Sequence, residues 1–92
     1  MNSLLELYQT LESRISTDPA TSYTARLLQS GEDEIVKKIG EESIEIILAA
    51  KGQGNQRLIE EISDLTYHIL VLLVQKGIPI SAISEELNKR KK

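Results

Sequence analysis

The chain is predicted to be all-α, a bundle of four to five helices. Three observations point there. Phe and Trp are absent and only three Tyr are present, while Leu, Ile, Glu and Lys abound, a composition that favours helices over a β-sandwich. Apolar residues recur at three- and four-residue intervals, the spacing that lines one face of a helix. Breakers at Thr17-Asp18-Pro19, Ser30-Gly31, Gly52 to Gly54 and Gly77 to Pro79 divide those runs into segments of helical length.

Leu4, Leu7, Leu11 and Ile15 define a first helix, capped from Asn2 or Ser3 and running to about Ser16. Pro19 ends it, because proline lacks the backbone donor and pushes Asp18 out of the helical region. Ser22 to Leu28 reads as a short second helix, capped from Thr21 or Ser22 and stopped by Ser30-Gly31. The third begins at Glu32 and Asp33, where negative charge complements the helix dipole, and runs to Ala50 or Lys51. Asn55 is the expected cap of a fourth helix reaching Lys76, where Gly77 supplies a left-handed C-cap and Pro79 forbids continuation. The short connection makes the third and fourth helices antiparallel neighbours. A last helix, capped by Ser81, is expected to turn Ile83 and Leu87 inward.

At 92 residues with a formal net charge of -3, one small domain spanning 1–92 is expected, with a modest core. From Leu65 to Val74 the fourth helix is apolar around most of its circumference, including Leu70, Leu73 and Val74 on the side away from its acids. A helix so coated is buried on more than one side. A homodimer, or a pair of dimers, is the expectation. Basic residues are interspersed with acids except at Lys89-Arg90-Lys91-Lys92, which complements a helix C-terminus, so no nucleic-acid face is expected. The longest apolar run, Ile69 to Val74, is too short for a bilayer, no signal segment stands at the N-terminus, and cysteine is absent. A cytoplasmic protein without membrane attachment is expected.

Candidate chemistry centres on acids. Glu42 and Glu45 lie one turn apart on the third helix, as do Glu61 and Asp64 on the fourth. Stepping about 100° per residue places Glu42 in the same sector as Ile35, Ile39, Ile46 and Ala49. Glu61, Asp64 and His68 run beside Leu58, Leu65 and Leu72. A charge aimed at an apolar interface needs a partner or a metal. Four carboxylates converging between antiparallel helices suit a hard divalent cation, Mg2+ or Mn2+, and magnesium so held keeps positions open for water and phosphate oxygens. That points towards phosphate chemistry. His68 invites roles as ligand or base, against the plainer expectation of a hydrogen bond to Asp64 four residues earlier.

These residues resemble a known family. Glu41-Glu42-x-x-Glu45 followed by Glu61-x-x-Asp64 is similar to the EExxE and ExxD signature of the all-α nucleotide pyrophosphohydrolases, which include MazG-like proteins and dimeric dUTPases. Ser22 to Leu28, Lys37 to Glu42 and Asp64 to His68 resemble the SYTxxLL, KKxGEE and DLxYH stretches of the phosphoribosyl-ATP pyrophosphatase family. The likeness covers essentially the whole chain; Ser43, Ser63 and Thr66 depart from the usual apolar residues. It implies an all-α NTP pyrophosphatase-like fold and hydrolysis of phosphoribosyl-ATP to phosphoribosyl-AMP and pyrophosphate, the second step of histidine biosynthesis. It also implies Mg2+ dependence, an intertwined helical dimer or larger assembly and, without cysteine, the form not fused to a zinc cyclohydrolase domain.

By residue, the resemblance implies Glu42, Glu45, Glu61 and Asp64 as metal ligands, with Glu41 supporting the metal or orienting water. Lys37 or Lys38 would stabilise charge on the phosphates. For Lys38 an ion pair with Glu41 or Glu42 competes with that role. Tyr23 and Arg26 are weaker candidates for ribose or phosphate contacts, the alternative being a surface turn with one cation. Two rivals remain: a house-cleaning nucleoside triphosphate pyrophosphohydrolase with the same acids, and a non-catalytic dimerisation module. A ferritin-like di-iron site is set aside because it needs two Glu-x-x-His motifs, and the chain has one histidine.

Overall fold

A computed structural model describes residues 3–91, so Asn2 and the last lysine of the basic tail lie outside the described residues. The elements are α1 (Ser3–Ser13), two 3-10 turns (Arg14–Ser16 and Pro19–Thr21), α2 (Tyr23–Ser30), α3 (Glu32–Gly52), α4 (Asn55–Lys76) and α5 (Ile80–Arg90), with no strand among the described residues.

Helices α3 and α4 form the most extensive interface and run antiparallel. Interacting pairs step in opposite directions along them: Glu32 with Lys76, Glu42 with His68. The hairpin loop is two residues long, and Gly54 holds φ 88°, a region that L side chains rarely adopt. Three acids, Glu32, Asp33 and Glu34, occupy the first turn of α3, where they complement its dipole.

The C-terminus of α4 is a Schellman motif. Gly77 is left-handed (φ 70°, ψ 24°), its N–H donates to Val74 O at 3.1 Å, and the Ile78 N–H donates to Leu73 O at 2.9 Å. The Tyr8 hydroxyl donates to the Ile78 carbonyl at 2.7 Å, pinning α1 to this loop. Burial, then the charge of Glu12, raises the Tyr8 pKa above the usual tyrosine range. Ser22 caps α2 by accepting from Ala25 N–H at 3.1 Å, and Asp18 caps the turn before it from Ala20 N–H at 2.9 Å.

Tyr8, Leu11, Leu27, Ile35, Leu70, Val71, Leu73 and Val74 make the core. Two expected caps differ. Gly54, not Asn55, stands at the N-cap of α4, and Pro79, not Ser81, at that of α5, with no side-chain capping bond at either. The fixed φ of proline already presets the entry to α5.

Helix α5 has no buried residue and packs chiefly on α1. Ile83 and Leu87 are therefore exposed, at 42% and 60%, and with Leu4, Ile69, Leu73 and Ile80 they border a cavity of about 220 Å3. The far side of α4 is covered within the chain, since α1 and α2 pack there and bury Leu70, Leu73 and Val74. The apolar side chains of α4 that the sequence pointed to, Leu70, Leu73 and Val74, are thus covered without a second subunit. Also exposed are Ile44, Ile47 and Leu48 on α3 and Ile59 and Ile62 on α4. No single helix among the described residues is long and apolar enough to cross a membrane.

Candidate active site

Of the two acid pairs, Glu42 and Glu61 are drawn into the interface between α3 and α4, and Glu45 and Asp64 less so. Glu61 is buried, with its side chain 5% exposed; Glu42 is 16% exposed at the side chain; Glu45 is half-buried and Asp64 is exposed. Glu42 follows Ile35 and Ile39 on the inward stripe of α3, and Glu61 lies two turns before His68 on that of α4, so the helical period carries both acids into the interface.

Each inward acid has a counter-charge or donor from the protein. The Arg57 guanidinium donates to Glu61 at 2.6 Å from one turn earlier on α4, and its other arm reaches Glu60 at 3.2 Å. The Glu60 hydrogen bond, then the charge of Glu61 and, more weakly, that of Glu45 across the hairpin raise the Arg57 pKa. Hydrogen bonds from Gln56 and Arg57 hold the Glu60 carboxyl below the usual range. Glu42 accepts at Oε1 from His68 Nδ1 at 2.6 Å. The imidazole also lies 3.2 Å through Nε2 from the Tyr23 hydroxyl, and edge-on to the Tyr23 and Tyr67 rings.

Among the described residues, no three acidic or histidine side chains gather into a group that could hold a metal ion. The physical reason is the intrachain pairing: Arg57 engages Glu61 and His68 engages Glu42, so the acids stand as two held pairs. The donor chemistry still fits a hard divalent cation. The carboxylates are oxygen ligands, and the buried one, Glu61, is neutralised by an Arg57 that is itself 48% exposed.

The bond expected between His68 and the Asp64 side chain is corrected. Asp64 contributes its backbone carbonyl, 3.0 Å from Nδ1, while its carboxylate faces outward. Lys38 lies 3.9 Å from Glu41 in an exposed intrahelical pair, of the kind that contributes little to stability. Lys37 is exposed. Arg26 donates to the Pro19 carbonyl at 3.1 Å and lies 5.9 Å from the centroid of the Tyr23 ring, so both sit on α2 beside the His68 end of the acidic site.

One residue and two links between residues were not singled out from sequence. Arg57 had a readable signal, a cation three and four residues before Glu60 and Glu61. The bond between the Thr24 and Tyr67 hydroxyls, which ties α2 to α4, and the link from His68 to Glu42 join residues 43 and 26 positions apart. Neither has a local signature. Ser43, Ser63 and Thr66 bond back to the carbonyls of Ile39, Ile59 and Ile62 at 2.7–2.9 Å, which satisfies their hydroxyls on the helices.

Known proteins share this chain's pattern along nearly its full length. The family model described as phosphoribosyl-ATP pyrophosphohydrolase matches residues 4–91. The phosphoribosyl-ATP pyrophosphatase of Leptospira biflexa is 49% identical over 90 residues, 98% of this chain and 98% of that one. The proteins of the same name from Lactiplantibacillus plantarum and Listeria monocytogenes are 47% and 49% identical over 90 and 87 residues. Those matches cover 98% and 95% of this chain, and 85% and 84% of theirs.

Proposed function

The chain belongs to the phosphoribosyl-ATP pyrophosphohydrolase family, and on that premise we propose that it hydrolyses phosphoribosyl-ATP to phosphoribosyl-AMP and pyrophosphate, the second step of histidine biosynthesis. Water adds to one phosphorus of the α–β phosphoanhydride, and the bond from that phosphorus to the bridging oxygen breaks. The bridging oxygen stays with the other phosphorus, and the proton of the attacking water passes to a base, giving phosphoribosyl-AMP and pyrophosphate. The observation that carries the reading is the drawing of Glu42 and Glu61, one from each helix, into the α3–α4 interface.

Glu42, Glu45, Glu61 and Asp64 are the proposed Mg2+ ligands, Mn2+ being an acceptable substitute. When bound, the cation supplies charge neutralisation at the triphosphate and activation of water at neutral pH. The protein's own groups do the rest. Arg57 pairs with Glu61 and holds it until a cation competes for it. Glu41, exposed beside Glu42, is placed to orient water and accept its proton. Lys38 exchanges its weak pair with Glu41 for a phosphate oxygen, with Lys37 beside it at the surface. Arg26 and Tyr23 flank the His68 end, where a ribose or phosphate would approach.

The functional unit is proposed to be a homodimer, or a dimer of dimers, acting in the cytoplasm as a single domain, with no nucleic acid and no membrane as partner. Ile44, Ile47 and Leu48 on α3 are exposed apolar side chains that a second copy would cover. The reading is tested by measuring pyrophosphate release from phosphoribosyl-ATP, dUTP, dCTP, dATP and ATP, with and without Mg2+. Preference for phosphoribosyl-ATP and strict dependence on the cation are expected. Faster turnover of a dNTP would instead make the protein a house-cleaning enzyme of the wider superfamily.

A further inference from the structure

His68 connects three helices through bonds that neither ligand nor base chemistry explains. Its Nδ1 faces two acceptors, Glu42 Oε1 at 2.6 Å and the Asp64 carbonyl at 3.0 Å, so that nitrogen carries a proton. In the neutral ring Nε2 is then an acceptor, and the Tyr23 hydroxyl at 3.2 Å donates to it. The imidazole is 9% exposed at the side chain and is gripped edge-on by Tyr23 and Tyr67, with ring centroids 6.2 and 5.1 Å away. The Tyr67 hydroxyl bonds to that of Thr24, so neighbouring residues of α2 secure both rings.

We propose that His68 is the positioning residue for Glu42, and that Tyr23, besides flanking the nucleotide, supports the acidic site by fixing the tautomer and plane of the His68 ring. The inference rests on the reading of Glu42 as a cation ligand. A glutamate has three rotatable bonds, and Glu42 sits in an interface where the bond to His68 anchors it through Oε1 alone. Outer-shell donors that orient a ligand in this way are worth roughly 10- to 100-fold in metal affinity. The arrangement runs from α2 through α4 to α3, so the SYT segment of α2 acts on the α3 acid without touching it.

The test compares wild type with His68→Leu, His68→Asn and Tyr23→Phe. Mn2+ binding is followed by electron paramagnetic resonance of the free aquo ion, and helical content by circular dichroism. Asparagine presents an amide N–H near the position of Nδ1. His68→Leu is expected to weaken Mn2+ binding about 10- to 100-fold, His68→Asn to stay within about threefold of wild type, and Tyr23→Phe to fall between them. The single histidine also gives one imidazole signal in a long-range 1H–15N spectrum, in which a protonated Nδ1 is expected.

Wild-type Mn2+ affinity in a folded His68→Leu, or an unprotonated Nδ1, overturns the inference. If His68→Leu does not fold, the nitrogen assignment and Tyr23→Phe decide. Hydrolysis of phosphoribosyl-ATP by wild type together with unaltered Mn2+ binding in the variants would sink this inference alone. Absence of both hydrolysis and Mn2+ binding in wild type would sink the functional reading with it.

Discussion

Replacing Glu42 by glutamine separates its structural role from its proposed chemical one. In the metal-free protein Glu42 accepts a 2.6 Å bond from His68, and both side chains are mostly buried. A hydrogen bond to a charged group is worth about 1.5–3 kcal/mol and a neutral one about 0.5–1.5 kcal/mol. The glutamine carbonyl still accepts from Nδ1–H, so Glu42→Gln should cost about 1 kcal/mol. A few tenths of that returns because the like charge of Glu45 one turn away loses its neighbour. In a chain of this length that is a fall in Tm of about 4–8 °C.

The response to Mg2+ should change far more. At a hundredfold excess over Kd, a ligand bound only by the folded state adds about 2.7 kcal/mol. If the variant binds a hundredfold more weakly, the same concentration adds only about 0.4 kcal/mol. Differential scanning calorimetry with and without Mg2+, beside a pyrophosphate-release assay, reads both effects. Turnover should fall by orders of magnitude while the helical signal persists. A Glu42→Gln protein with the full Mg2+-dependent rise in Tm and near-normal turnover would refute the reasoning and remove Glu42 from the site.

Other perturbations test the fold and the assembly. Ile47 is 61% exposed and Leu48 49% on α3, so a glutamate at either should yield a folded monomer by light scattering; an unchanged dimer would place the interface elsewhere. Gly77→Ala puts a Cβ at φ 70° with open space around it and should cost about 1 kcal/mol of stability by chemical denaturation, leaving the Mg2+ response intact. The raised Tyr8 pKa means that the folded state holds this proton more tightly. Its stabilisation is present below about pH 10 and lost as pH rises through the folded value. Tyr8→Phe, lacking the bond to Ile78, should be about 1 kcal/mol less stable at neutral pH and show a flatter alkaline limb in urea titrations; parallel limbs would contradict this.

The helices were legible because their signals are local. Gly77 and Pro79 announce the end of α4, and Ser22 the start of α2, through backbone chemistry confined to a few residues. Asn55 and Ser81 misled for the same reason. Each looks like a cap in isolation, yet the positive φ of Gly54 and the fixed φ of Pro79 set the entries one and two residues earlier.

Periodicity also placed Glu42 and Glu61 on inward faces, since 100° per residue decides which side chains meet a neighbour. It does not say which neighbour. The choice of His68 for Glu42, and of α1 and α2 for the far side of α4, depends on packing between segments tens of residues apart. The same limit hid that Leu70 and Leu73 are buried within the chain while Ile44, Ile47 and Leu48 stay exposed. Arg57 was readable from its spacing to Glu61, and its weight became clear only once Glu61 proved to be buried.

Crystals grown with Mn2+ and measured for anomalous scattering put the central proposition to its most direct trial. The account predicts a peak between α3 and α4 at coordination distance from carboxylate oxygens of Glu42, Glu45, Glu61 and Asp64, with Arg57 turned away from Glu61. A protein that releases pyrophosphate from phosphoribosyl-ATP while its manganese lies elsewhere, and Arg57 still holds Glu61, would contradict it.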